Sequence, residues 1–440
     1  MSLLFSISGL RGLVDKDLTP EIIYKYAAAF GLYVGPGRVV IGRDARKSGL
    51  PYSRAVIQGL SSVGCQVLDL GVVPTPTVLF IVKQNRAKGG IAVTASHNPI
   101  EWNALKFASS KGRFLSRDEF LHFSKQTKKS AQVTKIRSRV TKSKELAGSI
   151  KIHTDRIVHV FKPIARKLLV GVDAVSGAGS FALPRVLEMM GCKVFRLNCR
   201  LSRHFPRPPE PRPRNITSLC RLVKEKGLDL GVACDPDCDR LALVDEKGRP
   251  VGEDKTLVLA TDFLFEQKVG SVVTNFSTTA LMDDIAKKYR CRIYRTKVGE
   301  ANVVSKMVKI DALIGGEGNG GVIYPTVNFT RDALVAAAIV VKLMIKRNQR
   351  LSQIIAQYPR YYMQKEKMKI TRKRLEMRVG KLQHVMNGRV SRADGIRITA
   401  KDSWVHIRPS QTEPFIRIIG EAKDRKQIRE YIRKVKNILS

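Results

Sequence analysis

The chain has 440 residues, which is too long for one hydrophobic core and predicts several domains. Hydrophobic residues make up 43% and charged residues 27%, a composition that is typical of a folded globular protein and excludes a disordered chain. Lys and Arg number 79 against 38 Asp and Glu, so the formal net charge of +41 predicts an attraction for anions such as phosphorylated metabolites, nucleic acid or an anionic membrane.

The compartment is predicted from the first residues, the longest apolar run and the cysteines. The first residues, MSLLFSISGLRG, lack a basic segment followed by a long apolar core, so we expect no secretory signal. The longest apolar run, ALVAAAIVV, is too short to span a bilayer and is more typical of a buried helix. The 7 cysteines form no CxxC pair, which favours free thiols. We therefore expect a cytoplasmic protein that does not bind membranes.

Strand and helix patterns alternate along most of the chain. The first group contains the strands RVVIGRD, CQVLDLG and IAVTAS and a helix over residues 51–63. The second contains KLLVGVDAVSGAG, a helix at FALPRVLEMMG, the strand CKVFRLN, and two strands around an acidic loop in GLDLGVACDPDCDRLALVDEKG. The third contains SVVTNFSTTALMDDIAKKY and DALIGGEGNGGVIYP. Such alternation predicts α/β domains with largely parallel sheets.

The rest of the chain differs in composition. Two basic stretches, 124–145 and 358–383, are interpreted as connections, and the second has apolar residues at helical spacing. The last part is strand-rich and ends in a basic amphipathic helix, which predicts a small α+β domain. We predict four domains, at 1–148, 149–250, 251–360 and 361–440.

Ser96 ends the predicted strand IAVTAS and precedes His97 and Asn98. A serine at this place can be a turn residue. Alternatively, its hydroxyl can be a nucleophile for a phosphoryl group that a metal and cations stabilise. The GxSxG elbow of serine hydrolases is absent, and His97 would point away from Ser96 if the strand continued. The stretch by itself leaves both interpretations open.

An acidic loop, DPDCD, places Asp235, Asp237 and Asp239 at alternate positions. Carboxylates this close repel one another unless a cation lies among them, and hard oxygen ligands suit Mg²⁺ or Ca²⁺. An EF-hand is disfavoured because Arg240 occupies its sixth position, where the turn needs Gly, and because the flanks are strands. A solvated acidic turn is the other alternative. Arg240 fits the metal interpretation, as a cation that can hold a phosphate oxygen.

Two further loops carry polar groups. In GGEGNGG the GxGxxG pattern is rejected as a dinucleotide fingerprint, because a strand follows it and not a helix. Glu317 and Asn319 in this loop are either part of a plain hairpin turn or ligands for the hydroxyls of a small molecule. In RPSQTEPFIR the side chains form either a surface turn closed by Pro414 or a phosphate cradle; they are Arg408, Ser410, Gln411 and Thr412.

Taken together, these loops resemble the α-D-phosphohexomutase superfamily. The motifs TASHNP, DPDCDR, GEGNGG and RPSQTEP occur in the family's order, and SGLRG, VVIGRDARKSG, GVVPTPT, DAVSGAG and NALKF agree with it. The resemblance covers essentially the whole chain. It implies three similar mixed-sheet α/β domains and a C-terminal α+β domain of TBP-like type around a central cleft, with one loop from each domain. The implied activity interconverts a hexose 6-phosphate and a hexose 1-phosphate through a phosphoserine enzyme and a sugar bisphosphate.

The resemblance also implies roles for individual residues. Ser96 would be the phosphoserine and, with Asp235, Asp237 and Asp239, would bind one Mg²⁺ ion; a sugar bisphosphate would act as activator. Cations near the transferring group would be Arg11, Lys106 and Arg240, with His97 as the active-site histidine and Lys106 as a candidate acid/base. Glu317 and Asn319 would bind sugar hydroxyls. The non-transferring phosphate would be held by Arg408, Ser410, Gln411, Thr412 and Arg417.

Two positions depart from the family pattern. Many members have Glu-x-Ser-Gly-His in the sugar loop, whereas this chain has Glu317-Gly318-Asn319-Gly320-Gly321, a form that resembles phosphoglucosamine mutases of archaeal type. Gln411 stands where Asn or Gly is usual. We therefore expect conversion of glucosamine 6-phosphate to glucosamine 1-phosphate, with phosphomannomutase or phosphoglucomutase activity as the alternative.

The partners that we expect are a phosphorylated hexose or hexosamine, with the chain as a monomer or homodimer. The net charge prompts a different hypothesis, a basic nucleic-acid-binding scaffold without catalytic activity. Specific nucleic-acid modules have zinc-finger or RNP signatures, and the sequence has neither. We therefore expect no specific nucleic acid as a partner.

Overall fold

The computed structural model of the protein describes residues 3–129, 143–370, 378, 380–382, 384–409 and 415–440. In the described ranges the chain forms three mixed α/β sheets and a fourth, antiparallel sheet, which confirms the predicted fold class. The four sheets follow one another along the sequence, and we number the domains I to IV accordingly. The exact domain boundaries given above stay a prediction.

Domain I contains a mixed sheet of eight strands. Its strands are β1 (Leu4–Ser6), β2 (Gly9–Leu13), β3 (Gly37–Arg43), β4 (Cys65–Val72), β5 (Gly89–Val93), β6 (Trp102–Ser109), β7 (Arg113–Phe114) and β8 (Lys144–Glu145). Its helices are α1 (Pro20–Val34), α2 (Gly49–Ser62), α3 (Thr75–Gln84) and α4 (Arg117–Lys129). The strand order is β1-β2-β6-β5-β3-β4-β8, with β7 paired to β6. Helix α1 begins where Pro20 follows Thr19, whose hydroxyl accepts a hydrogen bond from the N–H of Ile22.

Domains II and III repeat one four-stranded pattern. Domain II contains α5 (Ser149–Phe161), β9 (Leu169–Asp173), α6 (Gly179–Met189), β10 (Lys193–Leu197), α7 (Thr217–Glu225), β11 (Leu230–Cys234) and β12 (Leu241–Asp245), with a 3₁₀ turn at Pro213–Asn215. Domain III contains α8 (Lys255–Phe265), β13 (Val272–Asn275), α9 (Leu281–Lys288), β14 (Ile293–Thr296), α10 (Glu300–Ile310), β15 (Ile314–Glu317), β16 (Gly321–Ile323), α11 (Ala333–Arg347) and α12 (Leu351–Ala356). The strand orders are β10-β9-β11-β12 and β14-β13-β15-β16.

Because the strand pattern is repeated, three loops occupy equivalent positions in the three α/β domains. In domains II and III, three parallel strands are followed by an antiparallel partner, β12 or β16. Domain I contains the same arrangement in β4-β3-β5-β6, where β6 is the antiparallel strand. The connection to the antiparallel strand is the Ser96 loop in domain I, the acidic loop in domain II and the GEGNGG loop in domain III. These three loops therefore extend from the same edge of three similar sheets.

Domain IV is an antiparallel sheet with a C-terminal helix packed on it. Its elements are β17 (Tyr362–Lys369), β18 (Arg389–Ser391), β19 (Ile396–Thr399), β20 (Ser403–Pro409), β21 (Phe415–Ala422) and α13 (Arg425–Leu439), with the strand order β17-β21-β20-β19-β18. Asp424 caps α13 by accepting from the N–H of Gln427 at 2.7 Å. The buried face of α13 carries Ile428, Ile432 and Val435, which pack on the sheet.

The hydrophobic cores do not follow the domains one to one. Domains I and IV each have their own clusters, whereas one continuous cluster includes β9 and β11 of domain II together with α8 and α11 of domain III. Helix α11 contains the apolar run that the sequence predicts to be a buried helix, and residues 333–341 are all buried. Asp332 caps α11 through the N–H groups of Leu334 and Val335. Domains II and III are therefore joined through a shared core.

The first turn of α3 joins three domains. Thr75 donates its N–H to the carbonyl oxygen of Asp237 at 2.9 Å and its hydroxyl to Oδ2 of the same residue at 3.0 Å. Asn328 of domain III donates to the carbonyl oxygen of Pro76 at 2.8 Å. The acidic loop is thus held by a turn of domain I that also contacts domain III.

Both basic stretches differ in part from their interpretation as connections. Helix α4 extends into the first stretch, and β17 forms the start of the second, where a helical spacing was expected. The basic residues Lys365, Lys367 and Lys369 alternate along β17, which is the period of a strand. Residues 130–142, 371–377, 379 and 383 lie outside the described residues.

Candidate active site

A cleft of about 660 Å³ lies where the four domains meet. Each domain contributes residues that the sequence analysis selected. Those that line the cleft are Arg11, Ser96, His97, Lys106, Arg240, Glu317, Asn319, Arg408 and Arg417. The three aspartates of the acidic loop lie buried beneath this surface.

The Ser96 loop does not continue the strand before it. Strand β5 ends at Val93, and Ser96 has a φ of 52°, in the left-handed region that residues other than glycine adopt rarely. The N–H of Ser96 donates to Oγ1 of Thr94 at 2.9 Å. The strand that would point His97 away from Ser96 does not continue, and the bend brings Nδ1 of His97 to 3.3 Å from Oγ of Ser96.

A buried guanidinium that sequence reasoning missed holds this loop. Nε of Arg46 donates to Oδ2 of Asp44 at 2.9 Å. Its terminal nitrogen atoms donate to four backbone carbonyl oxygens of the loop, those of Ser96, Asn98, Pro99 and Trp102. Thr94 also donates to Asp44, at 2.7 Å. The family motif VVIGRDARKSG contains both Asp44 and Arg46, and this was the signal in the sequence.

The acidic loop brings three carboxylates together. One oxygen atom from each of Asp235, Asp237 and Asp239 lies within 4.8 Å of the others, and all three residues are buried. Ser96 donates its hydroxyl to Oδ2 of Asp235 at 2.8 Å, so the loops of domains I and II are in direct contact. The N–H groups of Asp239 and Arg240 donate to the other oxygen atom of Asp235.

The electrostatics of this loop fit a metal ion. Burial, followed by repulsion from Asp239 and Asp237, raises the pKa of Asp235 well above its usual range. Burial opposes ionisation of Asp237 as well, but the ion pair with Lys106 at 2.7 Å outweighs it and lowers the pKa of that carboxyl. Among the described residues, Oδ1 of Asp237 and Oδ1 of Asp239 accept no hydrogen bond although both atoms are buried. Three close carboxylates with two unsatisfied oxygen atoms are a donor set that suits a divalent cation.

Several cations surround the serine. Nζ of Lys106 lies 3.8 Å from Oδ2 of Asp239, and Nε of Arg240 lies 3.9 Å from Oδ2 of Asp235. Arg11 donates to Oδ1 of Asn98 at 3.4 Å. Burial lowers the pKa of His97 well below its usual value, and the positive charges of Arg240, Arg11, Arg331 and Lys106 lower it further. His97 is therefore neutral at pH 7, in a strongly positive environment.

The GEGNGG loop is the hairpin between β15 and β16, so the rejection of a dinucleotide fingerprint agrees with the structure. Oε1 of Glu317 accepts from Nδ2 of Asn275 at 2.8 Å and from the N–H of Gly299 at 3.0 Å. Burial opposes ionisation, but Arg331 and these donors lower the pKa of Glu317. Asn319 accepts from the N–H of Gly321 at 3.3 Å. Both predicted sugar ligands are therefore held at the cleft by the backbone and by neighbouring side chains.

Domain IV presents three cations in one row. In the register of the sheet, Lys367 of β17 is opposite Arg417 of β21, which is opposite Arg408 of β20. All three line the cleft. Like charges directly opposite one another on neighbouring strands repel, so this row favours a bound anion. Lys367 was missed by sequence reasoning, and the predicted ligands Ser410, Gln411 and Thr412 lie outside the described residues.

A phosphoryl group on Ser96 would lie beside carboxylates suited to a metal. A second phosphate, carried by a substrate in the cleft, would face the cation row of domain IV. Such an arrangement fits one class of enzyme, the phosphohexomutases. Comparison with known proteins agrees. Phosphoglucomutase/phosphomannomutase α/β/α domain models match residues 2–134 (domain I), 151–248 (domain II) and 252–361 (domain III), and the C-terminal domain model matches 365–438. The chain belongs to the phosphoglucomutase/phosphomannomutase family, as the resemblance in the sequence indicated, and it is an isomerase of the mutase type.

Relatives match along the whole chain. A phosphoglucomutase/phosphomannomutase of Thermococcus kodakarensis is 38% identical over 98% of this chain and 97% of its own length. A phosphoglucosamine/phosphogalactosamine mutase of Sulfurisphaera tokodaii is 30% identical over 100% of this chain and 99% of its own. The crystal structure of a phosphoglucomutase/phosphomannomutase family protein from Burkholderia thailandensis has a TM-score of 0.84 at 22% identity, over 99% of this chain and 98% of the other, which shows the shared fold. In the described ranges, the helices fall short of the length and apolar character that a bilayer span requires.

Proposed function

We propose that the enzyme interconverts the 6-phosphate and the 1-phosphate of a hexosamine, with glucosamine 6-phosphate as the preferred substrate, in the cytoplasm. Ser96 carries the phosphoryl group, and a sugar 1,6-bisphosphate is the intermediate. The observation that carries the proposal is the contact between Ser96 and Asp235, 2.8 Å apart, in a cleft whose other wall is the cation row of domain IV. The cleft therefore offers one place for each of the two phosphates of a sugar bisphosphate.

The reaction has two transfers. In the first, O1 of the sugar attacks the phosphorus atom on Ser96; the P–Oγ bond breaks, the P–O1 bond forms, and the proton leaves O1 while Oγ gains one. The bisphosphate then turns over in the cleft. In the second transfer, Oγ loses its proton and attacks the phosphorus atom at O6; the P–Oγ bond forms, the P–O6 bond breaks and O6 gains a proton, which restores the phosphoserine and releases the 1-phosphate. His97, neutral and 3.3 Å from Oγ, and Lys106 are the proposed groups that hold and return the protons.

The residues proposed to hold a metal are Asp235, Asp237 and Asp239, with an oxygen atom of phosphorylated Ser96 as a further ligand. All of these ligands are hard oxygen atoms, which favours one Mg²⁺ ion per site. When bound, the ion neutralises charge that develops on the transferring phosphoryl group. Arg11, Arg240 and Lys106 add to the same positive potential through their side chains.

The remaining residues are proposed to bind the substrate. Arg408 and Arg417, together with the predicted ligands Ser410, Gln411 and Thr412, hold the phosphate that is not being transferred. Glu317 and Asn319 bind sugar hydroxyls. A trace of sugar bisphosphate acts as activator, because it phosphorylates any chain in which Ser96 is bare. The chain acts as a monomer or homodimer.

The choice of sugar is supported by the GEGNGG form of the sugar loop and by the relative named as a phosphoglucosamine/phosphogalactosamine mutase. A specific observation favours a second candidate, since the relative with 38% identity is named as a phosphoglucomutase/phosphomannomutase. Glucose and mannose phosphates are therefore the alternative substrates.

The test is a substrate panel. The purified enzyme, with Mg²⁺ and a trace of glucose 1,6-bisphosphate, is assayed on glucosamine, glucose and mannose phosphates, and kcat/KM is compared. We expect the highest value for glucosamine phosphate, uptake of one phosphoryl group from the bisphosphate at Ser96, and neither uptake nor turnover in Ser96→Ala.

The proposal is contradicted if Ser96 carries no phosphate, takes none from the bisphosphate, and no sugar phosphate is converted. A higher kcat/KM for glucose or mannose phosphate assigns the alternative substrates. Binding of duplex DNA as a function of salt tests the scaffold hypothesis, since attraction that disappears at physiological salt is non-specific.

A further inference from the structure

Arg331 binds three carboxylates from three segments of the chain. Nη2 lies 2.6 Å from Oδ2 of Asp239 in the acidic loop, and Nη1 lies 2.8 Å from Oε2 of Glu317 in the sugar loop. Nε lies 3.0 Å from Oε2 of Glu300 at the start of α10. The residue lines the cleft, yet its side chain is only 9% exposed. One buried side chain thus connects a carboxylate proposed for the metal, that of Asp239, with one proposed for the sugar, that of Glu317.

The geometry requires a guanidinium. Its donors lie in a rigid plane and point in different directions, so two loops that meet different nitrogen atoms are held at a fixed separation. An ammonium group at the same place has no such fixed plane and pairs with carboxylates as a point charge. Arg331 takes Oδ2 of Asp239 and leaves Oδ1 without a hydrogen bond among the described residues, at 3.7 Å from Nε of Arg240.

Gly321 provides the space for this side chain. A Cβ atom at Gly321 would lie 2.2 Å from Cδ of Arg331 and 2.8 Å from its Cγ, far inside contact distance. The φ of Gly321 is not in the left-handed region, so the backbone itself would accept any residue. The glycine is therefore required by the neighbouring arginine and not by the turn.

We propose that Arg331 is a positioning residue that fixes the metal loop and the sugar loop relative to each other, and that Gly321 is glycine in order to admit it. The inference rests on the proposed function for the roles of the two loops. It explains the unusual end of GEGNGG: the loop carries no side chain at position 321 because the side chain of Arg331, from the segment just before α11, fills that space.

The test uses Arg331→Lys and Gly321→Ala, which disturb the guanidinium in different ways. Two quantities are measured for each variant: the affinity for Mn²⁺ of the protein without phosphate or sugar, by titration calorimetry, and KM and kcat for glucosamine 6-phosphate. Partners that orient metal ligands affect metal affinity by about 10–100-fold. We expect both variants to weaken Mn²⁺ binding about tenfold and to raise KM for the sugar phosphate by a similar factor.

Arg347→Lys is the matched control. Arg347 is also largely buried and pairs with two carboxylates, Asp262 and Glu266, but outside the cleft. It should lower the unfolding temperature and leave Mn²⁺ affinity and KM unchanged. Gly321→Ala added to Arg331→Ala should cause no further loss, because the space is then open. Should Arg331→Ala not fold, the two single variants decide the question alone.

The inference is wrong if Arg331→Lys and Gly321→Ala change unfolding temperature but neither Mn²⁺ affinity nor KM. If the enzyme is active on the sugar phosphate, a change in one quantity alone also contradicts the inference, since the proposal requires that both loops shift. The Mn²⁺ measurement needs no substrate, so it decides the metal half even if the substrate panel overturns the proposed function.

Discussion

At the serine loop, all five N–H donors of Arg46 are engaged, one by Asp44 and four by backbone carbonyl oxygens. A guanidinium has five donors in a fixed plane, so no other side chain could satisfy the same set of acceptors. Without Arg46, the buried carbonyl oxygen of Ser96 would lose this donor, which destabilises a folded protein. The left-handed backbone of Ser96 is thus maintained by a side chain that never enters the cleft.

We predict that Arg46→Met lowers the free energy of unfolding by about 3–5 kcal/mol, because it leaves the Asp44 carboxylate buried without its ion pair. The activity of the folded fraction should fall as well, since the serine loop loses its support. Urea unfolding followed by circular dichroism measures the first effect. Arg54→Met on the exposed side of α2 is the control, and it should change stability by less than about 0.5 kcal/mol. Equal effects of the two substitutions would contradict the prediction.

Some residues of the site could be predicted from the sequence, and others could not. Asp235, Asp237 and Asp239 were predicted as a cluster because they alternate within one loop. Arg331 was not, because its partner Asp239 is 92 residues away and only folding brings them together. For the same reason Thr75, which is 162 residues from Asp237, carried no signal beyond a family motif. Local spacing predicts clusters, and it does not predict the residues that hold them.

At the scale of elements, strand β20 connects domain IV to domain III through His406. Nε2 of His406 is within hydrogen-bonding distance of the carbonyl oxygen of Asp394, which can only accept, so Nε2 carries the hydrogen and donates it. Nδ1 then accepts a hydrogen bond from the hydroxyl of Ser277 at 2.9 Å. Asp394 also accepts from the N–H of Val298 in domain III at 2.8 Å. These contacts lie next to Arg408, the proposed phosphate ligand on the same strand.

His406 makes this junction sensitive to acid. Burial is the main cause that lowers its pKa from 6.5 to about 4. The positive charges of Arg408 and Arg397 also lower it, whereas the carbonyl oxygen and the carboxylate of Asp394 oppose the shift. The unfolded chain therefore binds more protons than the folded one between pH 6.5 and 4, and stability falls as the pH falls through this window. We predict a loss of about 3 kcal/mol from this residue at pH 4 relative to pH 7.

The measurement compares unfolding of the wild type and His406→Gln at several pH values. Other groups titrate in both proteins, so the difference between them reports His406. The stability of the wild type relative to the variant should decrease steadily below pH 6.5 and level off near pH 4. A constant difference over this range would contradict the prediction.

The types of most elements could be predicted, because three domains repeat a strand-loop-helix pattern. The failure at β17 has a physical reason: a strand with Lys at every second position resembles a basic connection unless the alternation is given more weight than the charge. The equivalence of the three loops that follow β5, β11 and β15 could not be predicted from any one motif, because it depends on which strand is antiparallel in each sheet.

At the scale of the whole molecule, the shared core predicts that domains II and III unfold as one cooperative unit. Their cluster of buried side chains is continuous through α11, whereas the buried residues of domain IV form a separate cluster. Regions that share a core open together, and this is visible in hydrogen exchange.

We predict that Leu343→Ala in α11 lowers the opening free energy by about 2–5 kcal/mol, the usual range for a buried leucine. Exchange should become faster to the same extent in β9 and β11 of domain II as in β13 and β15 of domain III. Ile418→Ala is the control, since it lies in the core of domain IV and should affect that sheet alone. Hydrogen exchange with mass spectrometry measures all four sheets together. Faster exchange in domain III alone after Leu343→Ala would contradict the shared unit.

The first turn of α3 restricts how this architecture can be recombined. Thr75 holds the acidic loop of domain II, and Pro76 accepts a hydrogen bond from domain III. A chimaera that takes domain I from a relative would replace one side of both contacts at once. Domain exchange between family members, in the laboratory or over evolutionary time, therefore succeeds most readily where this turn is transferred unchanged or where its partners in the other two domains travel with it.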